Sequence, residues 1–171
     1  MNLKLVFPTE IYEDEWHSIV KEVEDAGEKM TPYSLKASAN DYTEYLRITR
    51  DVSNGVNLNG MVQADTYFLV NGEDTRILGA INIRYSLTDY LLSYGGHVGY
   101  GIRPSERKKG YATRMLEMAL DICRDRGMDR VLITCNKSNT GSVKTMTKNG
   151  AVLENEVQEN DKTVQRYWIA L

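Results

Sequence analysis

One stretch of this 171-residue sequence restricts the fold more than any other. Gly96–Arg103 reads as a strand, Pro104 stops it, and a basic run, Ser105–Glu106–Arg107–Lys108–Lys109, leads into Gly110. An amphipathic helix follows at once and runs to Arg126. Ala112, Met115, Leu116, Ala119, Leu120 and Cys123 form its apolar stripe, while Arg114, Glu117, Asp121 and Arg124 face outward. Gly127 caps its end. A strand feeding such a helix calls for a sheet with a helix packed across one face.

The rest of the chain supplies the other layers. Asn2–Phe7 alternates and predicts a first strand, ended by Pro8. A helix opens at Thr9–Glu10, buries Trp16, Ile19, Val20 and Val23, runs to Ala26 and stops at Gly27. Ser38–Asn40–Asp41 starts a second helix with Tyr42, Tyr45, Leu46 and Thr49 on one face. Asn54–Asp65 is rich in Asn and Gly and reads as loop. Thr66–Val70 and Arg76–Arg84 predict a hairpin around Asn71–Gly72, through a connection longer than two residues. Ser86–Ser93 fits a loop or a short helix. Arg130–Cys135 predicts a buried strand and Ser142–Asn149 a short helix ended by Gly150. Ala151–Gln158 and Val164–Ala170 predict a closing strand pair around Asn160–Asp161. This order predicts an α/β chain of the α+β kind: a mixed, mostly antiparallel central sheet with helices on both faces. With no repeat and no low-complexity linker, residues 1–171 read as one domain.

Charge and composition exclude several roles. Asp plus Glu outnumber Lys plus Arg by 24 to 21, which argues against a nucleic-acid partner. No run is long and apolar enough for a membrane span or a signal peptide. Cys123 and Cys135 fall in a core helix and a core strand and read as reduced thiols. Neither they nor His17 and His97 have metal-ligand spacing. The expectation is a cytoplasmic protein with no metal, nucleic-acid or membrane partner, working as a monomer or a homodimer.

The basic run carries the chemistry. A helix N-terminus presents unpaired N–H groups backed by the positive end of the dipole, which makes it an anion site. Gly110 and Ala112 let an anion approach the backbone, and Arg107, Lys108, Lys109, Arg103 and Arg114 form the densest basic cluster of the chain. A phosphate or a pyrophosphate fits. A solvated charge run before a helix is the plainer alternative. Gly110 is not followed by Lys–Ser or Lys–Thr, so this is no Walker loop. The first glycines of a dinucleotide fingerprint are also missing.

At these residues the sequence resembles the GNAT superfamily of N-acetyltransferases. Arg107-x-x-Gly110-x-Ala112 is similar to the family's Arg/Gln-x-x-Gly-x-Gly/Ala motif, and Ile102–Arg103–Pro104 resembles its Val-x-Pro. Asn139-x-x-Ser142 followed by Lys148-x-Gly150 is similar to the family's Asn-x-x-Ala/Ser and Lys-x-Gly. The strings GGHVGYGIRPSERKKGYAT and LITCNKSNTGS look most like a group of bacterial acetyltransferases of about this size. The resemblance implies the GNAT fold with splayed fourth and fifth strands, and acetyl-CoA as co-substrate without a metal. It implies that the N–H groups of Lys108, Lys109, Gly110, Tyr111, Ala112 and Thr113 hold the CoA pyrophosphate, with Arg107 and Lys109 adding charge. It implies that the strand edge near Tyr100–Ile102 pairs with the pantetheine amides, with Asn139, Ser142 and Asn136 on the other side.

The reaction so implied moves acetyl from the thioester to an amine of a small molecule or a protein. The tyrosine that protonates the leaving thiolate in many members matches Met146, and the usual strand-four glutamate has no equivalent. Tyr100 and His97 are the acid or base candidates, each also readable as structural. The two N-terminal helices, the loop after them and the last hairpin are expected to build the acceptor pocket. Tyr33, Tyr42, Tyr45, Tyr67, Asn82, Arg84, Tyr85 and Trp168 are its candidate liners. An alternative function is a non-catalytic acyl-CoA sensor on the same fold.

Overall fold

The computed structural model describes residues 1–72 and 74–171. Strand β1 (Leu3–Val6) is followed by helices α1 (Glu13–Asp25) and α2 (Tyr42–Ser53), then strands β2 (Ala64–Asn71), β3 (Gly79–Arg84) and β4 (Val98–Ile102). Helix α3 (Tyr111–Asp125), strand β5 (Arg130–Asn136), helix α4 (Thr140–Lys148) and strands β6 (Val152–Glu159) and β7 (Lys162–Ala170) complete the chain. The strands form two sheets, β1-β2-β3-β4 and β5-β7-β6, and every pairing within them is antiparallel.

Helices cover both faces of the first sheet. Strand β2 is buried along nearly its whole length because both of its faces are packed. Leu69, Ile81 and Ile83 meet the α3 stripe of Met115, Leu116, Ala119, Leu120 and Cys123. Phe68, Val70 and Ala80 meet Trp16, Ile19 and Val20 of α1 and Tyr42, Tyr45 and Leu46 of α2. Alternation along the strands separates these two cores.

The sheets touch where β4 begins. His97 N–H donates to Leu132 O at 2.7 Å, and His97 Nδ1 accepts from Leu132 N–H at 2.9 Å. Beyond that point β4 pairs with β3 alone, and a cavity opens toward α4. This turn of His97 toward the second sheet is why β4 starts at Val98 rather than at the expected Gly96. The ambiguous Ser86–Ser93 segment ends in one π-helical turn, Leu91–Gly95. The second hairpin strand starts at Gly79 rather than Arg76, because Ile77 N–H is taken by Glu15 Oε2 at 3.1 Å. In the connection before it, residue 73 lies outside the described residues. Helix α4 starts two residues early because Asn139 caps it, its Oδ1 accepting from Ser142 N–H at 3.1 Å.

Candidate functional site

A cavity of about 550 Å³ lies between α1, β4, α3 and α4. Its floor is β4 from Tyr100 to Ile102. The ladder fixes which way that strand's polar groups point. Arg84 N–H donates to His97 O and Arg103 N–H to Leu78 O, so the odd-numbered residues bond β3. The N–H and C=O of Tyr100 and Ile102 therefore face the outer edge, where no described strand pairs. Ile102 O is taken by Arg107 Nε at 3.2 Å. Gly101 is glycine because Thr31 crosses it. A Cβ there would lie 2.0 Å from Thr31 O.

At one end the cavity meets the N-terminus of α3. Gly110 caps that helix at φ +83°, with no side-chain hydrogen bond to its first turn. Lys108 also has positive φ. The first-turn N–H groups thus lack the partners a capping side chain would give them. Lys108, Gly110, Tyr111, Ala112 and Thr113 all line the cavity.

The basic cluster differs from the sequence expectation. Arg103 is buried, donating from Nε to Glu22 at 2.7 Å, from Nη1 to Glu15 at 2.7 Å, and from Nη2 to Ser18 Oγ. Arg107 forms a two-bond fork with Glu28 at 2.8 and 2.6 Å. Lys109 Nζ donates to Glu106 at 2.8 Å and lies outside the cavity lining, and Arg114 pairs with Glu117. Of the five cations, only Lys108 has no ion pair among the described residues. Glu22 is partly buried, which alone would raise its pKa, but hydrogen bonds from Arg103 and from Ser105 N–H hold it at about 2. Hydrogen bonding to Arg107 likewise holds Glu28 low, against its desolvation. These glutamates carried no sequence signal, because each meets its arginine across some eighty residues of chain.

On the far wall Tyr100 Oη lies 2.9 Å from Ser142 Oγ. Burial pushes its hydroxyl up to about 12. Asn139, Gly141, Ser142 and Thr145 line this side. Met146 is fully buried in the α3-side core and is not among the lining residues, whereas its neighbour Thr145 is. Asn136 is exposed and outside the lining. His97 is outside it too. Its Nδ1 is committed to Leu132, and burial, with Arg84 and Arg130 nearby, lowers its pKa.

A second cavity, about 770 Å³, lies on the α2 side, next to the Thr31–Leu35 segment. Of the eight residues expected to line an acceptor pocket, Tyr33, Asn82 and Arg84 line this cavity. The other five expected liners are elsewhere. Tyr42 and Tyr45 are core residues, stacked beside Trp16. Tyr67 and Tyr85 point to the opposite face, around buried Asp65, which Tyr85 reaches at 2.5 Å and Arg126 at 3.0 Å. Trp168 belongs to the second sheet, with Glu154 on its indole N–H and Arg130 over its ring. The last hairpin lines neither cavity.

A family model described as an acetyltransferase (GNAT) domain matches residues 9–152. The chain belongs to the GNAT acetyltransferase family. Solved members share its fold. The microcin C7 self-immunity acetyltransferase MccE, in complex with acetyl-CoA and AMP, is 19% identical with a TM-score of 0.70, over 99% of this chain and 93% of that one. RimL, a ribosomal L7/L12 α-N-protein acetyltransferase solved with coenzyme A, is 15% identical with a TM-score of 0.74, over 100% and 95%. A spermidine N-acetyltransferase SpeG chimera from Vibrio cholerae and hSSAT is 15% identical with a TM-score of 0.68, over 99% and 96%. No protein of curated function matches the sequence. As a GNAT acetyltransferase, this chain takes its acetyl group from acetyl-CoA. Among the described residues, no helix is long and apolar enough to cross a membrane.

Proposed function

We propose that the first cavity holds acetyl-CoA and that the second admits a primary amine, belonging to a small molecule or a protein, which receives the acetyl group directly. One observation carries this reading. A single cavity joins the start of α3, which no side chain caps, the β4 edge that pairs with no described strand, and the Asn139–Ser142 turn. The N–H groups of residues 108–113 take the pyrophosphate, with Lys108 as the unpaired charge beside it. The β4 edge takes the pantetheine amides as an added strand would. Asn139 spends its carbonyl on capping α4, which leaves its NH₂ for the same arm. Named structural neighbours acting on a protein α-amine and on spermidine bracket the acceptor classes. The free thiols Cys123 and Cys135 accord with a reducing compartment, the cytoplasm.

The amine must be neutral to attack. With an ordinary pKa of ~10.4, about one molecule in 10³ is neutral at pH 7. The carboxylates lining the cavities, Glu28, Glu106 and Asp51, are all held in ion pairs, so water carries the proton away. An N–H of the β4 edge faces the developing oxyanion. Tyr100, at about 12, stays protonated at neutral pH. Passing its proton fully to a thiolate of pKa ~8.5 would cost about 5 kcal/mol, so it stabilises the leaving thiolate as a hydrogen-bond donor.

Calorimetry with coenzyme A and a thiol-release assay across an amine panel test this. Saturable binding and amine-dependent release are expected. Absence of coenzyme A binding overturns the assignment of the first cavity.

A further inference from the structure

The second cavity contains a charge that no described acidic residue balances. Its ionisable lining residues are Tyr33, Arg47, Asp51, Arg84 and Tyr90, and the Tyr33 hydroxyl lies 3.1 Å from Ser38 Oγ. Arg47 and Asp51 pair with each other at 3.1 Å, and Asn57 also bonds Asp51. Tyr90 donates to Glu159 at 2.7 Å. Arg84 has no acidic partner among the described residues. Its Nη1 donates to Gly95 O at 3.2 Å and Gly96 O at 3.0 Å, while Nε and Nη2 bond no described residue. Arg84 is half-buried, and burial lowers its pKa; a cation so placed ordinarily has a partner, because burying charge alone is costly. The two carbonyls account for one nitrogen. The unused Nε–H and Nη2–H form the side-on fork that fits a carboxylate with two parallel hydrogen bonds.

The position of that fork matters as much as its charge. A Cβ on Gly99 would lie 3.4 Å from Arg84 Nη2 and 3.5 Å from Pro32 Cβ, so the guanidinium rests over β4 at Gly99. The next residue, Tyr100, presents its backbone to the edge beside the first cavity. One to two residues of strand span about 3–7 Å. That is the separation of an amine and a carboxylate within one amino acid or one short acidic residue.

We propose that Arg84 is the specificity residue of the acceptor site and that the preferred acceptor is an amine bearing a carboxylate. This deepens the acetyltransferase reading and rests on it. The two sources of such a group are a free amino acid and the acidic N-terminal region of a peptide.

Matched acceptors test the proposal: amino acids against their amides, and dipeptides with Asp against Asn in the second position. The expected preference in kcat/KM for the carboxylate member is at least about tenfold, in one arm or the other. In Arg84→Met the preference falls to near one, while coenzyme A affinity changes less than about twofold. Arg84→Lys keeps the charge without the fork and retains part of the preference, which provides a second variant if the Met form folds poorly. Loss of the Gly95 and Gly96 contacts alone would weaken both members of each pair equally. Calorimetry of the same pairs against coenzyme A-saturated protein reads the preference without turnover. Tighter carboxylate binding with no acetylation supports the Arg84 assignment and removes the enzymatic reading. Equal binding of acid and amide, or a preference that survives in Arg84→Met, overturns the proposal.

Discussion

Arg103 offers the sharpest test of how this fold holds its donor site. It is 3% exposed, and its guanidinium joins Glu15 and Glu22 of α1 to the end of β4. Replacing it with Met keeps the volume and strands two carboxylates. The shift of Glu22 from 4.5 to about 2 corresponds to about 3 kcal/mol in all, of which Ser105 supplies a part that survives the substitution. Glu22 retains 27% of its side-chain exposure, so solvent screening reduces the remainder to about 2 kcal/mol. Unpairing Glu15 brings the whole loss to about 3–4 kcal/mol, within the range for a broken buried pair. For a chain of this size that lowers Tm by about 10 °C. Glu22 has a depressed folded-state pKa, so its contribution is complete above about pH 4.5 and fades as the pH falls toward 2. Thermal melts at pH 7 and pH 3 therefore read the mechanism. The gap between wild type and Arg103→Met is large at pH 7 and shrinks at pH 3. A Tm loss below about 3 °C, or an equal gap at both pH values, refutes the account.

Three further outcomes are expected. In Gly110→Val, a φ of +83° forces strain of about 1–2 kcal/mol although a Cβ there meets nothing within 4 Å. Coenzyme A affinity measured by calorimetry should drop more than tenfold with the fold intact, and unchanged affinity would sink the cradle assignment. Tyr100→Phe should lower kcat about tenfold with little change in KM, and an unaltered kcat would leave the hydroxyl a packing group for Ser142. His97 is held neutral by burial and by Arg84 and Arg130, so its contribution is present above about pH 6.5 and is lost as the pH falls below it. His97→Asn should flatten that part of the stability curve while sparing kcat; a large fall in kcat with stability preserved would return His97 to the reaction.

The features legible in the sequence are those written locally. The α3 stripe involves residues within a few positions of one another and lies where the apolar spacing predicts it, whereas the equally local Asn139 cap starts α4 two residues before the expected Ser142. The lining of the second cavity is less legible, because it combines two elements. Strand β2 is buried on both faces, so apolar alternation could not tell that Thr66 faces the second cavity while Tyr67 faces Asp65. Met146 was placed in the site by motif spacing, yet the packing of α4 on α3 turns it into the core and leaves Thr145 and Ser142 at the cavity. Neighbours in sequence give the basic cluster only two counter-charges, Glu106 and Glu117. Its main counter-charges come from α1 and the turn after it.

That neutralisation bears on how the donor site works. Four of five cations around the α3 N-terminus are already in ion pairs, so in the proposed donor site the attraction for a pyrophosphate rests on backbone N–H groups and on Lys108. Backbone donors are fixed by the strand and helix that carry them and lose little entropy when a ligand arrives. Long cationic side chains would have to be ordered, and salt would screen them. The ion pairs spend their energy earlier, on the frame. Arg103 and Arg107 tie α1 and the turn after it to the end of β4, and Glu106 is tied to Arg76 and Lys109. The cavity walls are thereby set before acetyl-CoA enters, while the half-buried Arg84, on the proposed acceptor side, has no acidic partner among the described residues.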